Sequence, residues 1–272
     1  MTSQTERAER FRSLHYGPQP LLLPNPWDLG SAKLLASMGF QALATTSGGF
    51  AATLGRLDGQ VTLEEALAGA AALVRATDLP VSADLENGFA DDPDEVAETV
   101  RLAVDAGLAG CSIEDYSRDD ASPIYGRTVA AQRVAAAAGA ASASPVRLVL
   151  TARAENYLHG NPDLADTIGR LQAYQEAGAD VLYAPGLTSL ADIRSLVSSV
   201  DRPVNVLAIK GVPPVADLAE VGVSRISVGA GFAWAALTGL VEAAREFLDQ
   251  GTYGWAGRAA PGRTAARTAF SD

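Results

Sequence analysis

Val81-Ser82-Ala83-Asp84-Leu85-Glu86-Asn87-Gly88-Phe89 is the stretch whose reading decides the fold. A short apolar run ends in two carboxylates and then breaks at Asn-Gly. Leu79-Pro80 opens the run, and a helical segment starts at Pro93. This reads as a buried strand that delivers acids at its C-terminal end. Residues two apart on an extended strand point the same way, so Asp84 and Glu86 are expected to serve one hard cation or one reaction centre. The competing reading is a helix cap or surface turn, which the same residue types favour.

On either side the pattern repeats. Strands are expected at Leu21-Leu22-Leu23, Gln41 to Thr45, Cys111-Ser112-Ile113, Leu148 to Thr151, Val181-Leu182-Tyr183, Val204 to Leu207 and Arg225 to Val228. Helical segments separate them, one capped by Asp28 and one opened by the capping box Thr62-Leu63-Glu64-Glu65. Gly39, Gly107, Gly178 and Gly222 each close a helix just before a strand. Strand and helix alternate eight times, which predicts an α/β fold of the (β/α)8 TIM-barrel type. An open doubly wound sheet would need a glycine-rich turn after its first strand, and Pro24-Asn25-Pro26-Trp27 is not one. No composition shift divides the chain. We expect a single domain over 1–272, with its core at about 19–250 and a loose tail at 251–272.

The balance of 21 basic against 32 acidic residues gives a net charge of -11, which argues against nucleic acid or an anionic membrane as partner. No apolar stretch has the length of a membrane span, and the N-terminal residues lack a signal-peptide core. A soluble, cytoplasmic protein is expected. The one cysteine, Cys111, excludes an intrachain disulfide and reads as a buried, inert thiol.

In a barrel of this kind the strand C-termini share one rim. That rim then carries Ser47 and Gly48, Asp58, Asp84 and Glu86, Glu114, and Arg153 with Glu155. Thr46-Ser47-Gly48-Gly49 is expected as a loop whose backbone N–H groups suit an anion. Asp58, Asp84, Glu86 and Glu114 would repel one another without compensation, and Mg²⁺ prefers such oxygen ligands. Arg153 offers a fork for a carboxylate or phosphoryl group. The alternative is an internal salt-bridge network of Arg153, Glu114 and Glu155.

The ordered set Ser47-Gly48, Gly55-x-x-Asp58, Asp84-x-Glu86-x-Gly88-Phe89, Ile113-Glu114-Asp115 and Ala152-Arg153-x-Glu155 resembles the isocitrate lyase/phosphoenolpyruvate mutase superfamily over Leu23 to Val228. The resemblance implies Mg²⁺, with Mn²⁺ as an alternative, held mainly by Asp84 and through waters by Glu86 and Glu114. It implies that Ser47 and Gly48 cradle the oxyanion end of a 2-oxo acid, that Arg153 grips a small carboxylate substrate, and that Asp58 lies near the reacting centre. It also implies a terminal helix exchanged between subunits in a homodimer or homotetramer. The apolar face of Phe232, Ala236, Leu240, Ala244, Phe247 and Leu248 is expected on that helix, where it either covers the last barrel seam or meets a second subunit.

The departures narrow the chemistry. The lyases carry Lys-Lys/Arg-Cys-Gly-His after the fourth strand, and the mutases carry Lys-x-Asn there. Here the loop reads Asp115-Tyr116-Ser117-Arg118-Asp119-Asp120-Ala121-Ser122-Pro123. Asp119-Asp120 and Ser122-Pro123 are its turn formers. Arg118 is either a cationic stand-in on this lid or a solvated residue. The reading is a lyase- or mutase-type enzyme acting on a C–C or P–C bond of a 2-oxo or 2-hydroxy carboxylate or phosphonate. The alternative is a catalytically silent relative that binds a small carboxylate. Lys210 reads as a loop lysine rather than a Schiff-base former; His15 precedes the barrel, and His159 reads as a loop histidine with the rim as the alternative, neither histidine having metal-ligand spacing.

Overall fold

A computed structural model describes residues 2–119 and 121–271. Asp120, expected to help turn the lid, lies outside the described residues. The chain opens with helix α1 (Gln4–Leu14), followed by β1 (Leu21–Leu23), α2 (Leu29–Ser37), β2 (Leu43–Ala44), α3 (Ser47–Thr53), α4 (Leu63–Ala76) and β3 (Val81–Asp84). Then come α5 (Pro93–Asp105), β4 (Gly110–Glu114), α6 (Arg127–Ala143), β5 (Val149–Arg153), α7 (Leu164–Glu176) and β6 (Val181–Tyr183). The last elements are α8 (Leu190–Ser198), β7 (Val204–Leu207), α9 (Val215–Glu220), β8 (Arg225–Ser227), α10 (Gly231–Arg245) and α11 (Gly254–Ala269).

All ladders are parallel, in the order β1-β8-β7-β6-β5-β4-β3-β2. The remaining seam is drawn together by Ala44 N–H donating to Pro24 O at 3.1 Å. The result is the expected (β/α)8 barrel. Local chemistry explains the boundaries. Asp28 caps α2 by accepting from Ser31 N at 2.7 Å, and Thr62 and Glu65 form the expected box on α4. Gly107 and Gly178 take φ of 85° and 104°, a left-handed turn that side chains with a Cβ avoid.

The barrel floor is closed by α1. Phe11 is fully buried among Leu21, Ala42, Ala109 and Val149, at the N-terminal ends of the strands. Gly110 makes room for it, because a Cβ there would stand 2.8 Å from the Phe11 ring and 2.7 Å from Val149 O. The apolar residues of α4 to α8 pack against the outer faces of the strands as the main core.

Two features of the C-terminal part bear on the expectations. The tail, read as loose or draped on a neighbouring element, contains helix α11, whose end brings Phe270 to the start of α2, at Gly30. The apolar face of α10 does not cover the barrel seam. Only Ala233 of this helix is buried, while Phe232, Trp234, Leu240 and Val241 are exposed, as are Phe247 and Leu248 in the π-turn Glu246–Gln250 that follows. No helix among the described residues is long and apolar enough to cross a membrane.

Candidate active site

The rim is organised by Arg153 at the end of β5. Its three nitrogens reach three acids, two at the ends of β3 and β4 and one just past β5: Nη1 to Asp84 at 2.9 Å, Nη2 to Glu114 at 3.0 Å and Nε to Glu155 at 2.8 Å. Register explains the convergence, since Glu114 stands opposite Arg153 and Asp84 opposite Ser112 one strand further on. The salt-bridge network raised as an alternative is therefore present, and it includes Asp84. It does not exhaust the acids.

Asp84 also accepts from Ser47 through its hydroxyl at 3.2 Å and its backbone N–H at 3.4 Å. Glu86 is buried and pairs with Arg118. The strand rule does not place Glu86 as expected. β3 ends at Asp84, and Glu86 adopts a left-handed φ of 49°. The turn is held by Glu114 N–H donating to Glu86 O at 2.9 Å, which sets the two acids side by side on adjacent backbones.

Thr46-Ser47-Gly48-Gly49 is not a loop. It is the start of α3, and the Gly49 N–H is engaged by the capping Thr46 hydroxyl at 3.4 Å. Gly48 is needed for another reason: a Cβ there would stand 3.0 Å from Asp58 Oδ2. This close approach lets Asp58 stand over the rim from the loop after α3. Arg118 completes that side, with its guanidinium 5.6 Å from the Phe89 ring centre and 3.4 Å from Gly59 O.

A layer behind the rim fixes these groups. Asp115 is buried and accepts from Glu155 N at 2.8 Å, Arg170 at 3.1 Å and the Tyr174 hydroxyl at 2.5 Å. The lid folds on itself, with Tyr116 bridged to Ile124 and Ser117 N–H donating to Pro123 O at 2.7 Å.

Asp58, Glu86, Glu114, Arg118, Arg153 and Glu155 line one cavity of about 500 Å³, together with Tyr116 and His159. Asp84 lines an adjoining one of about 200 Å³ that shares Ser47, Asp58 and Arg153. Over the two cavities five carboxylates stand against three guanidiniums, Arg118, Arg153 and Arg225, which leaves an excess of negative charge. Burial pushes the Glu114 carboxyl well up and Glu155 up, with Arg153 as the chief opposing influence. Among the described residues no three acids, histidines or cysteines stand at metal-holding spacing, and Asp84, Glu86, Glu114 and Glu155 are each paired with Arg153 or Arg118. A further cavity of about 560 Å³ at the opposite barrel end, near Met38 and Phe40, is lined by no titratable side chain.

Sequence reasoning gave too little weight to His159. Its ring stacks on Tyr116 with centroids 3.9 Å apart and planes 10° apart, facing the acids. Burial lowers its pKa, with Asp115 opposing and Arg153 adding to the shift. Its place six residues past β5 on a rim loop was the available signal. His15, which precedes the first barrel strand, is buried at the end of α1 against Arg225. Lys210 is exposed, as expected. Cys111 is buried in the core and its thiol is pushed up to about 12 by burial, an inert group as expected.

The sequence profile of phosphoenolpyruvate phosphomutase matches residues 11–248. A crystal structure from Burkholderia cenocepacia J2315, of a chain provisionally assigned as a lyase/mutase, is 50% identical, with a TM-score of 0.94 over 97% of this chain and 96% of that one. An uncharacterised protein of Mycobacterium tuberculosis strain H37Rv is 33% identical over 88% of this chain and 89% of its own length. The 2-methylisocitrate lyase of Escherichia coli K12 is 32% identical over 71% of this chain and 67% of its own. With a match from Phe11 to Leu248, the chain belongs to the phosphoenolpyruvate phosphomutase family, within the isocitrate lyase/phosphoenolpyruvate mutase superfamily.

Proposed function

We propose that the protein is a divalent-metal-dependent enzyme of lyase or mutase type. It makes or breaks a C–C or P–C bond in a small 2-oxo or 2-hydroxy carboxylate or phosphonate. The observation that carries this reading is the acid-rich rim around Arg153, where hard oxygen donors outnumber the cations beside them. This donor set fits Mg²⁺ in chemistry, with Asp84, Glu86 and Glu114 as the residues that would hold it. The bound ion would supply charge stabilisation for an enolate-like oxyanion next to a carboxylate.

The chain's own groups do the rest. Arg153 orients a carboxylate by its planar fork, itself held rigid by Glu155 and Asp84. Ser47, with the backbone N–H of Gly48 at the start of α3, faces the oxyanion end. Asp58 stands over the same cavity, near the reacting centre, and no cation among the described residues pairs with it. Arg118 closes the lid side and brings a positive charge toward the substrate.

Asp84→Ala tests the ion assignment. Mg²⁺ binding by calorimetry should be abolished, and unchanged affinity would remove Asp84 from the metal site. Turnover tests the enzyme reading, on a panel of oxaloacetate, phosphonopyruvate, 2-methylisocitrate, dimethylmalate and phosphoenolpyruvate. A second reading, a silent carboxylate binder, is favoured by the lid, which has no Lys, His or Cys from Asp115 to Pro123. Binding across the panel without turnover would support it. The uncovered apolar face of α10 supports a homo-oligomer in which a second copy covers it.

A further inference from the structure

The interior of this barrel departs from the usual filling. Small (β/α)8 barrels pack their inside with layers of branched apolar side chains. Here Ser82, Ser112, Thr151, Asn205, Arg225 and Ser227 line a cavity of about 200 Å³ that opens upward onto Asp84 and Arg153. That volume holds several waters or a small organic acid.

Arg225 lies deepest in this well and is only 4% exposed. Its partners are all neutral. Nε donates to Asn205 Oδ1 at 2.9 Å, Nη2 to Thr151 Oγ1 at 3.0 Å and Nη1 to His15 Nε2 at 3.1 Å. The His15 tautomer follows, because its Nδ1 faces the Phe11 carbonyl at 2.7 Å and must donate there, leaving Nε2 to accept. A guanidinium has five N–H groups, so two of the Arg225 N–H groups have no acceptor among the described residues. No carboxylate of the described residues pairs with it, unlike Arg153 above. A buried cation without a counter-charge is costly, and its neutral surroundings are prearranged rather than self-neutralised.

We propose that the well is a subsite for a second acidic group of the substrate, with Arg225 as its counter-charge. This rests on the reading of the rim as a 2-oxo or 2-hydroxy carboxylate site, and it narrows that class to dianionic acids. The first carboxylate meets Arg153 at the rim, and the distal one points down the barrel. Thr151, which holds Arg225, lies two residues below Arg153 on β5, a drop of about 6.6 Å at strand rise. A four- or five-carbon chain spans such a gap.

The test is calorimetric binding of malate and lactate, which share the 2-hydroxy acid end and differ by the second carboxylate, both with saturating Mg²⁺. Wild type should bind malate at least about tenfold more tightly than lactate, the scale of a charge-assisted hydrogen bond. Arg225→Met should reduce that preference to within about twofold while lactate and Mg²⁺ affinities hold. Ser112→Leu fills the well with Arg225 intact and should give the same loss, so a misfolded Arg225 variant does not stall the test. Equal binding of the two acids by wild type, or a preference that survives both variants, overturns the subsite and leaves the rim reading standing. Failure of wild type to bind either acid removes the rim reading, and the subsite with it.

Discussion

Replacing Arg153 by methionine removes the guanidinium that Asp84, Glu114 and Glu155 share. Deleting one partner of a buried ion pair costs about 3–5 kcal/mol, because the remaining charge is stranded. The stranded acids can escape by taking up protons. Burial already pushes Glu114 and Glu155 above their ordinary value of 4.5, and Arg153 is the chief group holding them down. Without it both rise further, and each added unit is about 1.4 kcal/mol of preference for the neutral acid. A carboxyl whose folded pKa is raised stabilises the fold below its unfolded pKa, and that contribution is lost as pH climbs through the folded pKa. The variant's deficit should therefore be smallest near pH 4.5, where packing alone remains, at below about 1.5 kcal/mol. By about pH 8 it should approach 3–5 kcal/mol. Urea unfolding followed by circular dichroism, at one protein concentration and with a chelator present, measures this as a function of pH. A deficit of the same size at both ends of the range would refute the reasoning, since it would show that Arg153 does not hold these carboxyls in their charged form.

Three further outcomes follow from the same geometry. Cys111→Ser should leave turnover per folded molecule within about twofold of wild type, and a thiol reagent at pH 8 should label wild type only after denaturation, because burial holds the thiol up at about 12. Arg118→Ala should lower turnover on the true substrate by about tenfold or more with Mg²⁺ affinity undiminished, as measured by steady-state kinetics beside calorimetry; isocitrate should not be cleaved efficiently by either form, and rapid Mg²⁺-dependent release of glyoxylate and succinate would mean that another group, such as His159, supplies the proton. Light scattering at micromolar concentration should give a homo-oligomer, and a monomeric mass would contradict the second-copy cover inferred for α10.

The barrel was legible because its signals are local. Glycine at helix ends, capping boxes and apolar runs repeat at each unit, so the element count needs no tertiary knowledge. Asp84, Glu114 and Arg153 were found by the same logic, as the last residues of strands. Glu86 was placed in the right cavity for the wrong reason, because a left-handed turn and not strand alternation carries it there. Ser47 to Gly49 read as a loop because two adjacent glycines weaken helix propensity, and packing against Trp27, Thr46 and Ala233 overrides it. Arg225 and Asn205 went unremarked in strands that read as apolar. Their meaning depends on the register of β7 with β8, which pairs them directly and points both into the well. Propensity and periodicity do not encode that pairing.

The floor formed by α1 makes this barrel a blind shaft. Phe11 seals the bottom and no residue of α1 lines the inner cavity. Among the described residues, those that line the way in belong to the rim and the lid. When a bond is cut in a molecule standing upright in such a shaft, the upper fragment obstructs the lower. Departure is then sequential, in an order dictated by depth rather than by affinity, and the fragment facing Arg225 leaves last.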